Sequence, residues 1–141
     1  MDYKQFAGNF LLRLDKGEEI VATLQDFCSN NSISLGSISG LGAINQATMR
    51  FFNTNSKSYE DKTMNKPMEI TSLTGNITNM DGNTYLHLHV NAAGADYITY
   101  GGHLLSATVS ATAEIWINAV NATVERSFNQ VVGLNTLDFQ K

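Results

Sequence analysis

The sequence predicts an α+β domain built on a mostly antiparallel sheet of about seven strands with one main helix. Runs of alternating apolar and polar residues recur along the chain, as in half-buried strands. Only one segment has apolar residues at helical spacing, and no repeated strand–helix–strand pattern occurs. The 141 residues include 43% hydrophobic and 16% charged side chains, a composition that supports a hydrophobic core. We therefore expect a single domain over residues 1–141.

The helix is predicted from Glu18 onward, after the turn Asp15-Lys16-Gly17. Its apolar residues fall three and four positions apart and form one stripe: Ile20, Val21, Leu24, Phe27 and Cys28. Glu18 and Glu19 are placed in the first turn, where negative charge meets the positive end of the helix dipole. Ser29 to Ser32 ends the helix, because these residues prefer turns. Cys28 is most simply a buried residue, and as the only cysteine it cannot form a disulfide within the chain.

The strands are predicted from period-two alternation and β-forming residues. The pair Asp81-Gly82 between two such runs predicts a hairpin. The predicted strands are Phe6 to Leu14, Ile33 to Gly42, Ala43 to Phe52, Met68 to Ile77, Thr84 to Val90, His103 to Ser110, Thr112 to Val120 and Thr123 to Phe128. Asn53 to Lys66 and Asn91 to Gly102 are predicted as loops. Residues 131–141 fit either a terminal strand or a loose tail.

Charge and hydropathy argue against two classes of protein. The formal net charge is −4 and the pI is about 5.2, whereas a free-standing nucleic-acid binder needs a basic face. No stretch approaches the roughly 18 consecutive apolar residues that span a bilayer. The first residues, Met1-Asp2-Tyr3-Lys4, lack the basic-then-apolar layout of a signal peptide. We expect a cytoplasmic protein with no membrane partner.

The three histidines, His87, His89 and His103, are the one concentrated chemical feature of the sequence. Residues two apart on a strand point to the same side, so the first two imidazoles can converge. His103 follows Gly101-Gly102 and completes a triangle if its strand pairs with theirs. Neutral imidazole suits Zn²⁺, and three ligands leave a fourth position for water or another ligand. The pattern predicts a zinc site, and the alternative is that these are ordinary surface or hydrogen-bonded histidines.

Other candidate groups are less specific. Glu69 and Glu114, on predicted strands, are candidates for accepting hydrogen bonds from the imidazoles or for acting as a base, or are simply solvated strand residues. No nucleophile motif and no paired-carboxylate motif is present. Gly40-Leu41-Gly42 is not a phosphate loop, because it lacks the rest of a phosphate-binding fingerprint. No catalytic residue is therefore assigned.

Four motifs in this order resemble the PPC domain, which is conserved in plants and prokaryotes: Gly17-Glu18-Glu19-Ile20, Ser39-Gly40-Leu41-Gly42-Ala43, Leu86-His87-Leu88-His89-Val90 and Gly101-Gly102-His103-Leu104. The resemblance runs from Phe10 to Ile117. It implies a single domain with a central antiparallel sheet that assembles as a homotrimer, and it implies that the three histidines hold zinc. Arg13 resembles a family arginine that lines the trimer-facing cleft, or is an ordinary surface arginine.

The chain departs from the plant members of that family in two respects. Plant members carry AT-hook segments that bind DNA, but this sequence has no Arg-Gly-Arg-Pro core, and Pro67 is its only proline. The stretch Lys66 to Leu73 corresponds to a plant partner-contact segment but lacks the Arg-Phe pair found there. Plant-type partner recognition is therefore not expected, and DNA is at most a weak partner.

Three functional interpretations stay open at this point. The first is a stand-alone, trimeric, metal-binding interaction or regulatory module of the kind named as DNA-binding proteins in prokaryotes, with a protein or small molecule as its ligand. The second is a small metal-dependent enzyme, a hydrolase or lyase, that uses the open coordination position. In the third, the metal is a structural clip between subunits.

Overall fold

The computed structural model describes residues 1–141 and contains one helix and nine strands. The elements are β1 (Asp2–Phe6), β2 (Asn9–Asp15), α1 (Ile20–Asn30), β3 (Gly36–Asn53), β4 (Ser58–Met64), β5 (Met68–Met80), β6 (Asn83–Ala93), β7 (Thr99–Ala119), β8 (Glu125–Asn129) and β9 (Leu134–Asp138). No helix has the length and apolar character needed to cross a membrane.

All nine strands belong to one sheet, with the order β1-β2-β7-β3-β5-β8-β9. β4 pairs with β3, and β6 pairs with both β5 and β7. Because β5 and β7 also pair with β3, these four strands form a closed circuit. Every pairing is antiparallel except the single contact between β5 and β8. The predicted fold class, a mostly antiparallel sheet with one main helix, is confirmed.

The hydrophobic core is one cluster of 26 buried residues. On β7, Ile115 and Ile117 are fully buried while Glu114 and Trp116 face outward, which is the alternation expected of a strand with one face on the core. The helix contributes Ile20, Leu24, Phe27 and Cys28, so most of the predicted stripe is buried. Each fully buried aliphatic side chain contributes about 1.5–3 kcal/mol to folding.

The helix boundaries differ slightly from the prediction. Glu19 is the N-cap and accepts hydrogen bonds from the backbone N–H groups of Val21 and Ala22. Glu18 and Glu19 therefore precede the first turn, because the capping carboxylate satisfies N–H groups that the helix leaves without partners. The helix ends at Asn30 with Asn31 as its C-cap, inside the predicted stop segment.

Several predicted strands have other boundaries in the structure. Phe6 to Leu14 is part of a β1–β2 hairpin that turns at Ala7 and Gly8. Ile33 to Gly42 and Ala43 to Phe52 belong to one continuous strand, β3, whose register shifts around Gly42 without interrupting it. The two runs from His103 to Val120 likewise form the single strand β7. The alternation of apolar and polar residues is interrupted at such irregularities, and for this reason each long strand is predicted as two shorter ones.

The prediction of a long loop over Asn53 to Lys66 is wrong. Ser58–Met64 forms β4, which pairs with the end of β3. All of β4 except Met64 is exposed, so the strand lacks the apolar alternation that reveals strands with one buried face. The chain thus has nine strands rather than about seven, and the last, β9, settles the tail as a strand paired with β8.

The Asp81-Gly82 hairpin is confirmed and joins β5 to β6. Both turn residues have positive φ, 52° and 76°, as a type I′ turn requires. The loop predicted over Asn91 to Gly102 is shorter than expected, because β6 continues to Ala93 and β7 already begins at Thr99. This added pairing between β6 and β7 positions the histidines.

Candidate metal centre

The three histidines lie side by side on β6 and β7. His87 and His89 project from the same side of β6, and His89 lies directly opposite His103 across the strand pair. The ring centroids are 5.2 Å apart for His87 and His89, 5.1 Å for His87 and His103, and 5.5 Å for His89 and His103. The structure therefore brings together all three predicted ligands in a nearly equilateral triangle.

Two glycines permit the close strand approach around this triangle. A Cβ atom at Gly75 of β5 would collide with the backbone carbonyl oxygen of His87. A Cβ atom at Gly101 of β7 would collide with the side chain of Asn91 on β6. Glycine within a strand commonly marks such a close approach. These positions let β5 and β7 pack tightly on either side of β6, the strand that carries two of the histidines.

The donor set fits a zinc ion. The imidazole nitrogens that can act as ligands all lie within 4.8 Å of one another. Zinc–nitrogen bonds of about 2.0–2.1 Å in tetrahedral geometry separate two ligand nitrogens by about 3.4 Å. The ligand nitrogens are thus within about 1.5 Å of the separation that a tetrahedral zinc site requires.

The environment keeps two of the imidazoles neutral. Burial lowers the pKa of His103 to about 4, and the charges of His87, His89 and Arg50 act in the same direction. Burial also lowers the pKa of His87, followed by the charges of Arg126 and His89. His87 and His103 are half-buried and His89 is exposed. At neutral pH the first two therefore carry a free lone pair, which is the form that binds metals.

One wall of the site comes from the β3–β4 hairpin, which the sequence reasoning treated as a loop. Arg50 of β3 lies opposite His103, and Asp61 of β4 lies opposite Arg50. The Arg50 guanidinium donates to both Asp61 carboxylate oxygens, from Nε at 3.0 Å and from Nη2 at 2.8 Å. It also lies over the ring of Tyr59, at 4.5 Å from the centroid, and that ring is 6.2 Å from the imidazole of His103.

The other wall is built around Arg126 of β8, a residue that sequence reasoning missed. Its side chain is buried, with an exposed fraction of 5%. Arg126 Nη2 donates to Oδ1 of Asn76 at 3.1 Å, and Asn76 lies directly opposite His87 across the β5–β6 pair. The guanidinium also lies over the ring of Tyr85, at 4.8 Å. Nothing in the local sequence distinguishes this arginine from a solvated one, because its contacts come from distant strands.

The remaining candidates lie outside the histidine triangle. Glu69 and Glu114 are exposed strand residues, and neither belongs to the set of groups whose ligand atoms converge. Glu114 lies opposite Arg13, which is itself exposed and forms an ion pair with Asp15 at 3.0 Å. Cys28 lies on the buried face of the helix, where desolvation raises the pKa of its thiol to about 12.

The fold and the site together define a small antiparallel β-domain with a three-histidine cluster on one face of its sheet. The chain belongs to the Plants and Prokaryotes Conserved (PCC) domain family, which matches residues 1–121. The resemblance to the PPC domain is thereby confirmed.

Three solved structures are similar over nearly the whole chain. A "putative DNA binding protein" from Bacteroides thetaiotaomicron is 40% identical with a TM-score of 0.97, covering 99% of this chain and 98% of its own. A metal-containing protein from Archaeoglobus fulgidus is 33% identical with a TM-score of 0.86, and the match covers 97% of this chain and 98% of that protein. A plant- and prokaryote-conserved (PPC) protein from Pyrococcus horikoshii is 27% identical with a TM-score of 0.86, and the match covers 99% of this chain and 95% of that protein.

A curated relative is much longer than this chain. The bifunctional protein GlmU from Synechococcus sp. (strain JA-3-3Ab) is 33% identical over 106 residues, which are 74% of this chain. The matched part spans 16% of that protein's own length.

Proposed function

We propose that this chain is a metal-binding interaction module in which His87, His89 and His103 hold one zinc ion. The observation that carries the proposal is the convergence of their ligand nitrogens within 4.8 Å. The similar protein from Archaeoglobus fulgidus, described as metal-containing, supports it. Three imidazoles without a cysteine or carboxylate are a donor set that zinc favours.

The half-buried and the exposed histidines have different roles in this proposal. The half-buried His87 and His103 present neutral rings, because burial lowers the pKa of each. The exposed His89 leaves the site open to solvent and to a further ligand. The zinc ion, when bound, supplies a Lewis acid with an open coordination position.

The direct test is metal stoichiometry. The purified chain is stripped with a chelator, dialysed, reloaded with Zn²⁺ and examined by elemental analysis and native mass spectrometry. We expect one zinc ion per chain, and loss of binding in the His87→Ala, His89→Ala and His103→Ala triple variant. Tyr59→Phe is the matched control, because it keeps a neighbouring aromatic ring that is not a ligand. Equal zinc content in the wild type and the triple variant would contradict the proposal.

We further propose that the module assembles as a homotrimer through an apolar patch on the outer face of the sheet, defined by Phe6, Leu41 and Trp116. These side chains are 43%, 56% and 40% exposed. The ring of Phe6 lies 6.0 Å from that of Trp116, and Leu41 is a diagonal neighbour of Trp116 across the β3–β7 pair. Exposed apolar patches of this kind commonly mark contact surfaces.

The oligomeric state is measured by size-exclusion chromatography with light scattering. The wild type should have the mass of three chains, and Leu41→Glu should have the mass of one, because the charge would be desolvated in the contact. Val131→Glu, an exposed apolar position outside the patch, is the control. A monomeric wild type would refute this part of the proposal. Loss of the trimer on chelation would instead favour a metal clip between subunits.

DNA is a second candidate partner, because the similar protein from Bacteroides thetaiotaomicron carries that description. The net charge of −4 argues for weak binding, since phosphate neutralisation requires basic residues. Fluorescence anisotropy with an A·T-rich duplex across salt concentrations decides the matter. Nanomolar affinity that falls steeply with salt would make DNA binding the principal function.

The hydrolase or lyase alternative is favoured by the three-ligand set, which leaves coordination positions for a substrate. A panel of ester and 2-oxo acid substrates tests it with the zinc-loaded chain. Turnover that disappears in His89→Ala while the oligomeric state is kept would favour the enzyme over the interaction module.

A further inference from the structure

The two arginines beside the histidine triangle differ in how their charge is balanced. Arg50 forms a two-point ion pair with Asp61. Arg126 has no carboxylate within 4.0 Å. Its hydrogen-bond acceptors are all neutral: the Thr78 hydroxyl at 2.9 Å, the Asn135 carbonyl oxygen at 2.9 Å and the Asn76 amide oxygen at 3.1 Å. Arg126 thus brings an uncompensated positive charge to the site.

Burial makes this charge unusual. Arg126 is 5% exposed, and buried arginines are normally paired with an anion because desolvation of a charge is costly. A guanidinium has five N–H groups, and the three hydrogen bonds use one on each nitrogen. Each terminal nitrogen therefore keeps a second N–H group that none of these three acceptors uses.

Arg126 is also on the same face of the sheet as the histidines. Its acceptor Asn76 lies directly opposite His87, and Thr78 lies directly opposite Tyr85, whose ring is under the guanidinium. Directly opposed residues of an antiparallel pair project from the same face. The guanidinium consequently lies next to His87, at the edge of the proposed metal site.

We propose that the metal centre takes a small oxyanion, a carboxylate or phosphate group, as its further ligand, and that Arg126 binds that oxyanion. This inference rests on the proposed metal-binding function. Imidazole ligands carry no negative charge, so three of them leave the double charge of a metal ion uncompensated, and no carboxylate joins the ligand set. Arg126 adds a further positive charge beside it. An oxyanion has one oxygen for the metal and another for the guanidinium, a pairing for which arginine is well suited.

The test uses the full chain loaded with Co²⁺, whose visible absorption changes when a new ligand enters its coordination sphere. Sodium acetate and inorganic phosphate are titrated separately at constant ionic strength, and acetamide serves as the uncharged match for acetate. We expect saturable spectral changes with at least one oxyanion and none with acetamide. The two oxyanion arms distinguish a carboxylate ligand from a phosphate ligand.

Arg126→Gln should weaken the apparent oxyanion affinity by about tenfold or more, the size of one charge-assisted hydrogen bond. The affinity for Co²⁺ should stay equal or rise, because the variant removes a positive charge beside the metal. A merely structural arginine would lower both affinities together. Arg13→Gln is the matched control, since Arg13 is exposed, is paired with Asp15 and lies outside the site, and it should change neither affinity.

Four outcomes overturn the inference. If the spectrum of the Co²⁺-loaded chain changes with neither oxyanion, the inference is wrong but the proposed metal-binding function stands. If the chain binds no metal, both the inference and the proposed metal-binding function are wrong. Parallel loss of metal and oxyanion affinity in Arg126→Gln assigns the residue a structural role instead. If that variant does not fold, the zinc-loaded wild type decides: the guanidinium N–H resonances of Arg126 shift on addition of the oxyanion, and fixed resonances overturn the inference.

Discussion

Glu19 connects the start of the helix to β7 through a single carboxylate. Its Oε1 atom accepts hydrogen bonds from the backbone N–H groups of Val21 at 3.0 Å and of Ala107 at 2.8 Å, and Oε2 accepts from Ala22 at 2.6 Å. Glu19→Ala removes an N-cap, which costs about 0.5–2 kcal/mol. It also leaves the partly buried N–H group of Ala107 without a partner, which costs about 1–3 kcal/mol. We expect the free energy of unfolding to fall by about 2–4 kcal/mol.

Thermal and urea unfolding followed by circular dichroism measure this loss, which corresponds to a decrease in Tm of roughly 6–12 °C for a domain of this size. Glu19→Gln should give an intermediate value, because it retains one acceptor oxygen. The matched control is Glu18→Ala, since Glu18 accepts only exposed hydrogen bonds, from the Asp15 backbone and the Met1 amino group. If Glu18→Ala and Glu19→Ala destabilise the protein equally, the proposed link between helix and β7 is incorrect.

Three further predictions concern the thiol, acid stability and the metal. The Cys28 thiol, buried and with its pKa raised to about 12, should not react with a disulfide reagent at pH 8 until denaturant is added; rapid reaction of the native protein would contradict this burial. Hydrogen bonds from Arg50 lower the pKa of Asp61 below its usual 3.8, so the stability it contributes is present at neutral pH and is lost as the pH falls below that value. The urea midpoint of Asp61→Asn should therefore lie below that of the wild type at pH 7, and the gap should close near pH 2; a gap that persists refutes the pairing. Zinc at about 100 times its Kd should stabilise the wild type by about 2.7 kcal/mol but leave the triple histidine variant unchanged, as measured by thermal unfolding with and without zinc.

The fold class and the helix were predictable because they depend on local patterns. The helical stripe ending at Cys28 and the positive-φ turn at Asp81-Gly82 are both encoded within a few residues. The length of β3 and the existence of β4 were not predictable in this way. Apart from Met64 at its end, β4 is exposed on both faces, so its position is set by hydrogen bonding to β3 rather than by burial.

The residues of the site also differ in whether local sequence patterns could predict them. The alternation of His87 and His89 on one strand fixes their common side from sequence alone, and the structure places His103 opposite His89. Arg50 and Arg126 were not predictable, because each reaches the histidines through strands distant in the chain. Such contacts depend on sheet order and register, which alternation within a single strand does not specify.

The glycine pair before His103 has a physical role that connects fold and site. Gly101 faces the Asn91 side chain on β6, while a Cβ atom at Gly102 would lie 3.2 Å from the carbonyl oxygen of Arg50 on β3. These close contacts hold β7 between β6 and β3 just before His103. His103 pairs with both strands, because it lies opposite His89 of β6 on one side and opposite Arg50 of β3 on the other. The motif Gly-Gly-His thus fixes the spacing between the imidazoles and the hairpin that carries Arg50, and it does so through the absence of two side chains.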